Sequence, residues 1–321
     1  KNWGCSLMKL WLLRLLYFVY NLGFGAFQFL NLFYTDLGLS TAQIGTLFAI
    51  GPLVMIFAQP LWGVVTDYWD SPKKTLLFMI IGSAGVAMLY PLASGFSILL
   101  LLNILYFFFQ SAIPPIADVT AMSLLEDRND FGKIRLWGSF GYAVGVFSVG
   151  RILDTIGIEY MFLIHSVLFL LALFFSMNLP IKKSAKKQFK FQEAIGLFKN
   201  SSFVMLLLFS FFLHLTVHAN NSFYAIYLEN LGATLSLVGF ALLIKSILEI
   251  PFFAMSKKMM SRYSYPLLLS VVALVYGVRW LIVGVSDHLQ VLVWSQVLLA
   301  LSFSIQYFVA VAYVDRITPK T

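Results

Sequence analysis

Charge is scarce in this chain. Only 11% of its 321 residues are Asp, Glu, Lys or Arg, where a water-soluble domain carries about 25%. A soluble globular fold is therefore excluded. Cysteine is almost missing as well, and the lone Cys5 rules out an internal disulfide framework. No stretch reads G-x-x-x-x-G-K-[ST], H-E-x-x-H or G-x-S-x-G. P-loop hydrolysis, zincin chemistry and a nucleophile elbow are thus unsupported, and no enzyme activity or cofactor is expected. Strict polar/apolar alternation is absent too: Ile98-Leu99-Leu100-Leu101-Leu102 is a continuous apolar run, which argues against a membrane β-barrel. No short apolar stretch with a small-residue cleavage site precedes the first span, so insertion is expected to be directed by the first helix.

What the chain does have is 60% hydrophobic and 17% aromatic residues, with a mean hydropathy of +0.87. A helix needs about 20 apolar residues to cross the bilayer. Such windows lie at 11–34, 42–64, 75–93, 97–117, 136–153, 160–179, 203–228, 236–256, 266–285 and 290–314. The expected class is all-α, a polytopic membrane protein of about ten spans.

The formal charge of +8 does not imply a nucleic-acid partner, because 19 of the 22 basic residues fall in alternate loops or at the ends they share. By the positive-inside rule the N-terminus and the basic loops are cytoplasmic, and the cell membrane is the expected location. The longest basic connection, 181–202, holds Lys182, Lys183, Lys186 and Lys187. It reads as a cytoplasmic linker, with lipid-headgroup binding as the alternative. It divides an N-terminal six-helix bundle, 1–180, from a C-terminal bundle, 203–321.

The two halves share a motif. Leu37-Gly38-Leu39-Ser40 through Ile44-Gly45 and Leu231-Gly232-Ala233-Thr234 through Val238-Gly239 both read L-G-x-[ST]-x-x-x-[IV]-G, offset by 194 residues. An offset of six spans brings the chain back to the same face, so the copies run parallel, as in transporters whose halves rock about a midplane site.

Gly63-Val64-Val65-Thr66-Asp67 followed by Lys73 and Lys74 resembles the loop signature of the major facilitator superfamily, with Tyr68 where that signature is basic. These residues are the candidate conformational gate. Phe131-Gly132-Lys133-Ile134-Arg135-Leu136-Trp137-Gly138, after Ala117-Asp118, is similar to the branch holding lactose-permease-type symporters, nucleoside:proton symporters and phenylpropionate permeases. Leu248-Glu249-Ile250-Pro251 and Val278-Arg279-Trp280-Leu281 fit the same branch. The resemblance implies twelve helices, so two more are expected after Thr321. It also implies a secondary transporter acting by alternating access on a small solute, without metal or cofactor, as a monomer in the bilayer.

Intramembrane charge marks the expected coupling group, because an ionised side chain at the bilayer centre costs about 2.5–3.5 kcal/mol. Lys245 and Glu249 are four apart on one helix face. Glu249, Lys245 and Arg279 lie about 11, 17 and 20 Å from the cytoplasmic ends of their spans, so two cations are expected around one carboxylate. Glu249 would be the protonatable switch, ionised when held by Arg279 or Lys245 and neutral otherwise; a permanent structural ion pair is the alternative. Resemblance places Arg279 at the helix-nine arginine of lactose-permease-type symporters, while their helix-ten histidine and carboxylate are replaced by Leu298-Leu299-Ala300-Leu301.

By the same resemblance Asp118 and Arg135 bind substrate; a loop-closing salt bridge stays open as their other reading. Asn21 and Gln28, Asn103 and Gln110, and His214, His218 and Asn221 each share a helix face and extend the expected substrate-binding set, unless they are packing contacts between helices. His214 and His218 alone do not make a metal site, which needs three or four ligands. His165 is expected to be a core histidine. Gly138, Gly141 and Gly145 predict a close helix-packing surface. A non-transporting sensor or scaffold, and an efflux transporter, remain the alternative functions.

Overall fold

A computed structural model describes residues 2–125, 131–179 and 198–317. Most of the basic linker, including Lys182, Lys183, Lys186, Lys187 and Lys190, lies outside the described residues, as do Arg128 and Lys320. The described residues contain no strand. Among the described residues ten helices are long and apolar enough to cross a membrane: α1 (Met8–Asp36), α2 (Thr41–Tyr68), α3 (Pro72–Leu92), α4 (Phe96–Leu124), α5 (Ile134–Ile156), α6 (Tyr160–Met177), α7 (Ser201–Asn230), α8 (Leu235–Phe252), α9 (Tyr265–Val285) and α10 (Leu289–Ala310). They coincide with the predicted windows within a few residues, α4 reaching seven further, because twenty-residue apolar runs bounded by charged or turn-forming residues leave little freedom. The chain forms two compact units, Lys1–Lys186 and Lys187–Thr321.

The repeated motif adopts the same local geometry in each unit. At the end of α1, the Gly38 N–H donates to Thr35 O at 2.8 Å and the Leu39 N–H to Tyr34 O at 3.2 Å. At the end of α7, Gly232 donates to Glu229 O at 2.8 Å and Ala233 to Leu228 O at 3.0 Å. Both glycines are left-handed, with φ of +74° and +87°, which an L side chain resists. Two residues later Ser40 caps α2 through Gln43 N, and Thr234 caps α8 through Leu237 N. The pattern L-G-x-[ST] is thus a helix stop followed by a helix start.

In the N-terminal unit, α1 packs mainly on α5 and α6, α3 on α4 and α6, and α2 on α4. The α1–α5 contact is backbone to backbone. A Cβ on Gly141 would meet Phe18 O at 2.1 Å, and one on Gly145 would meet Leu22 O at 2.5 Å, so the predicted small-residue surface is the seam itself. Tyr17, Leu76, Met79, Ile113 and Phe169 are among its core residues. His165 is fully buried there, its Nδ1 2.9 Å from Gly23 O.

Helix α4 breaks between its segments Phe96–Gln110 and Ile113–Leu124. Pro114 and Pro115 supply no N–H to the carbonyls one turn back. Helix α2 fills the gap: Gln59 Nε2 donates to Ser111 O at 3.1 Å and Trp62 Nε1 to Phe108 O at 2.7 Å. Inside a bilayer no water would otherwise satisfy Ser111 O, while Phe108 O also accepts from the Ser111 hydroxyl at 3.2 Å.

In the C-terminal unit both α8 and α9 pack extensively on α10 and little on each other. Its core gathers Leu213, Val217, Leu268, Val272, Leu299 and Phe308.

Candidate functional site

Each unit contributes its own polar cluster. In the N-terminal unit, α4 presents Asp118 to α1 and α5. Arg135 Nη1 lies 3.4 Å from Asp118 Oδ2, and Tyr17 donates its hydroxyl to Asp118 Oδ1 at 2.6 Å. The Arg135 side chain is 54% exposed and that of Asp118 26%. An ion pair so open to solvent contributes about 0.2–1 kcal/mol, so it constrains the fold little and remains available to a ligand. Asn21 Nδ2 donates to Tyr17 O at 2.8 Å and rests on Gly138, where a Cβ would approach that nitrogen to 2.8 Å. The last glycine of the Arg135 motif therefore makes room for Asn21.

Tyr17 was not singled out by the sequence. It lies one turn before Asn21 on the same face of α1 and is almost fully buried. That spacing was the available signal, masked by the many aromatic residues of α1.

The other N-terminal candidates do not join this cluster. Asn103 is buried, donating to Tyr34 Oη and to Leu99 O, so its polarity ties α4 to α1 within the core. Gln28 is half-buried in a tighter turn, Phe27–Phe29, that interrupts α1. Gln110 is half-buried, with its Oε1 atom enclosed and without a donor. In the gate motif, Gly63, Asp67 and Lys74 are exposed. Lys73 instead donates to Met177 O at 2.7 Å and Leu179 O at 2.6 Å. A cation there satisfies the last carbonyl of α6 and one just past its end, and complements the helix dipole.

In the C-terminal unit the expected cluster of two cations around Glu249 is divided. Lys245 Nζ lies 3.8 Å from Glu249 Oε1, with the two side chains 17% and 18% exposed. Arg279 is fully buried and donates from Nη2 to Asn220 Oδ1 at 2.6 Å. Among the described residues no carboxylate lies within 4.0 Å of it. The reason is the packing order: α10 stands between α8 and α9, so similar depth did not bring Glu249 and Arg279 together. Helix α10 also supplies a ring to the lysine, Lys245 Nζ lying 5.2 Å from the centre of Phe303.

On α7 the expected polar face and the buried one differ. His218 and Asn221 are exposed, and it is the neighbouring Asn220 that is buried against Arg279. His214 is half-buried, its Nδ1 2.8 Å from Ser210 O and 3.3 Å from Gln306 Nε2. Polar side chains of α10 also went unnoticed: Gln296, Ser302, Ser304 and Gln306 are all buried. They flank the leucine-rich stretch that drew attention for lacking ionisable groups. No group of three or more His, Cys, Asp or Glu is placed to hold a metal among the described residues.

Comparison with known proteins gives a consistent picture. A family model described as MFS_1 like family matches residues 10–321. The chain is similar to a maltose permease of Geobacillus stearothermophilus, 31% identical over 323 residues, covering 99% of this chain and 82% of the relative. It is 27% identical over 329 residues to a probable 3-phenylpropionic acid transporter of Escherichia coli (strain K12), covering 94% of this chain and 81% of the relative. Its fold is similar to the crystal structure of the nucleoside transporter NupG (D323A mutant), with a TM-score of 0.86 over 97% of this chain and 84% of that one. At 18% identity, that last likeness carries the fold alone.

Proposed function

The chain belongs to the MFS_1-like family of the major facilitator superfamily and is a multi-pass membrane transporter, and we propose that it imports a small polar or organic-acid solute together with protons. Relatives named for maltose and for 3-phenylpropionic acid bracket that solute class. The N-terminus is cytoplasmic, in keeping with the basic loops. The bundles 1–180 and 203–321 alternate access as a monomer, joined by the linker 181–202.

The observation that carries the proton reading is the Lys245–Glu249 pair. Its atoms are 3.8 Å apart and its side chains are largely withdrawn from solvent, so the pair is close enough to interact and too loose to be a strong hydrogen bond. Ionised Glu249 holds Lys245. Protonated Glu249 releases it toward the Phe303 ring, where a cation still finds favourable charge. Loss of the proton restores the carboxylate, which recaptures Lys245 and resets the switch. Asp118 and Arg135, braced by Tyr17, hold hydroxyl or carboxylate groups of the solute, and Asn21 aligns Tyr17. Gln28, Asn103, Gln110, His214, His218 and Asn221 complete the proposed polar set, Asn103 by positioning Tyr34. Lys73, with Gly63, Asp67 and Lys74, couples the α2–α3 loop to the end of α6 as the gate.

Uptake into proteoliposomes of the full-length chain tests this. Labelled maltose, phenylpropionate and uridine are offered with an inward proton gradient. Accumulation of one solute that a protonophore abolishes is the expected result. Equilibration unaffected by the gradient would refute symport, and absence of flux for a solute that binds would favour a sensor.

A further inference from the structure

The Arg279 locality contains more hydrogen-bond donors than anything around it accepts. Arg279 is completely buried, yet among the described residues only Nη2 has an acceptor; Nε and Nη1 have none. Its guanidinium carbon lies 5.6 Å from the ring centres of both Tyr224 and Trp280, and these faces attract a cation without neutralising it. The Trp280 indole N–H is likewise buried with no acceptor. Gln296 is fully buried with neither its oxygen nor its nitrogen partnered. Tyr224 links these side chains, touching Arg279 with its ring and donating its hydroxyl at 2.9 Å to Leu292 O, one turn from Gln296.

Asn220 supplies one neutral oxygen to a full positive charge. Water could accept from the remaining N–H groups, but it would leave that charge uncompensated in a low-dielectric interior. An anion satisfies the donors and the charge together, and charge-assisted bonds from a guanidinium are the strong kind.

We propose that the α7–α9–α10 interior of the C-terminal unit is a binding site for a small monovalent anion, a carboxylate or a halide, held by Arg279 with the Trp280 N–H and the Gln296 amide. The anion lies against the unused guanidinium nitrogens while Asn220 fixes the arginine through Nη2. The site does not depend on the proton-coupling reading of Glu249, and it adds to transport a dependence on anion occupancy.

The test is equilibrium binding to purified full-length protein in nanodiscs, with ionic strength held constant by sulfate, a divalent anion outside the proposed class. Sodium chloride and sodium benzoate are the probes, read by tryptophan fluorescence and by thermal unfolding. A saturable shift with at least one probe is expected. Chloride alone would identify an inorganic ion, benzoate alone a carboxylate ligand, and both a site open to either. Trp280→Phe should remove the fluorescence change and weaken the thermal shift, because it deletes one of the donors. Arg279→Gln should abolish both, and Arg279→Lys should weaken binding at least tenfold. Absence of any saturable shift in the wild type, or unchanged binding by Arg279→Gln, overturns the proposal. If Arg279→Gln does not fold, unchanged affinity in Arg279→Lys overturns it equally. No gradient or flux enters the measurement, so its failure is distinguishable from failure of the transport reading.

Discussion

In the N-terminal unit the Asp118 carboxylate holds the Tyr17 hydroxyl and the Arg135 guanidinium together, with more than half of the Arg135 side chain exposed. In the C-terminal unit Arg279 is sealed from solvent with one neutral oxygen as its partner, and Glu249 is left to Lys245 across a loose 3.8 Å. The first arrangement costs the fold little because water and opposite charge share the work. The second is expensive, about 2.5–3.5 kcal/mol for a charge at mid-membrane, and its one hydrogen bond, to Asn220, leaves the charge uncompensated. That imbalance is the reason the proposed function puts coupling in the C-terminal unit and the more accessible recognition chemistry in the N-terminal one.

Replacing each arginine by an apolar residue sharpens this contrast most. Arg279→Met should reduce gradient-driven accumulation by about 100-fold or more while leaving thermal stability unchanged or raised by about 1 kcal/mol, because it removes an unmatched buried charge. Arg135→Met should shift stability by less than about 1 kcal/mol and act on solute affinity. Loss of stability in Arg279→Met comparable to breaking a buried pair would reverse the assignment.

Packing separates the units next. Gly141→Val drives a side chain into Phe18 O and should destabilise by about 3 kcal/mol or prevent folding. Gly277→Val in α9 has no atom within 4 Å of its new Cβ and should change stability by less than about 0.5 kcal/mol. Equal effects in thermal melts would deny that the α1–α5 seam is special.

Smaller still is Tyr17→Phe, which deletes one bond to a charged acceptor, worth about 1.5 kcal/mol at the low end of its range. Solute affinity should fall roughly tenfold with the coupling ratio intact. The smallest effect tests the duplication: Ser40→Ala and Thr234→Ala should each cost about 1 kcal/mol. A marked inequality between them would argue that the shared motif does not do the same job in both halves.

These contrasts also explain what could be read from the chain. The spans were legible because membrane helices are defined by composition over twenty residues, and the L-G-x-[ST] repeat because a left-handed glycine and a helix cap are local events. The seam at Gly141 and Gly145 was visible for the same reason. Asp118 with Arg135 came out as a pair because α4 and α5 are sequential neighbours that turn back on each other. Glu249 with Arg279 did not, because depth along two spans says nothing about a third helix between them. Asn220 was not legible because it lies about 100° around the helix from the His214–His218–Asn221 face. The buried polar side chains of α10 were overlooked because each is ordinary by itself, and only their enclosure sets them apart.

The most direct test of the account compares wild type with Glu249→Gln in proteoliposomes, once a transported solute is in hand, measuring solute exchange and gradient-driven accumulation on the same vesicles. The account predicts that exchange persists while accumulation disappears. Accumulation at the wild-type level in Glu249→Gln would contradict it.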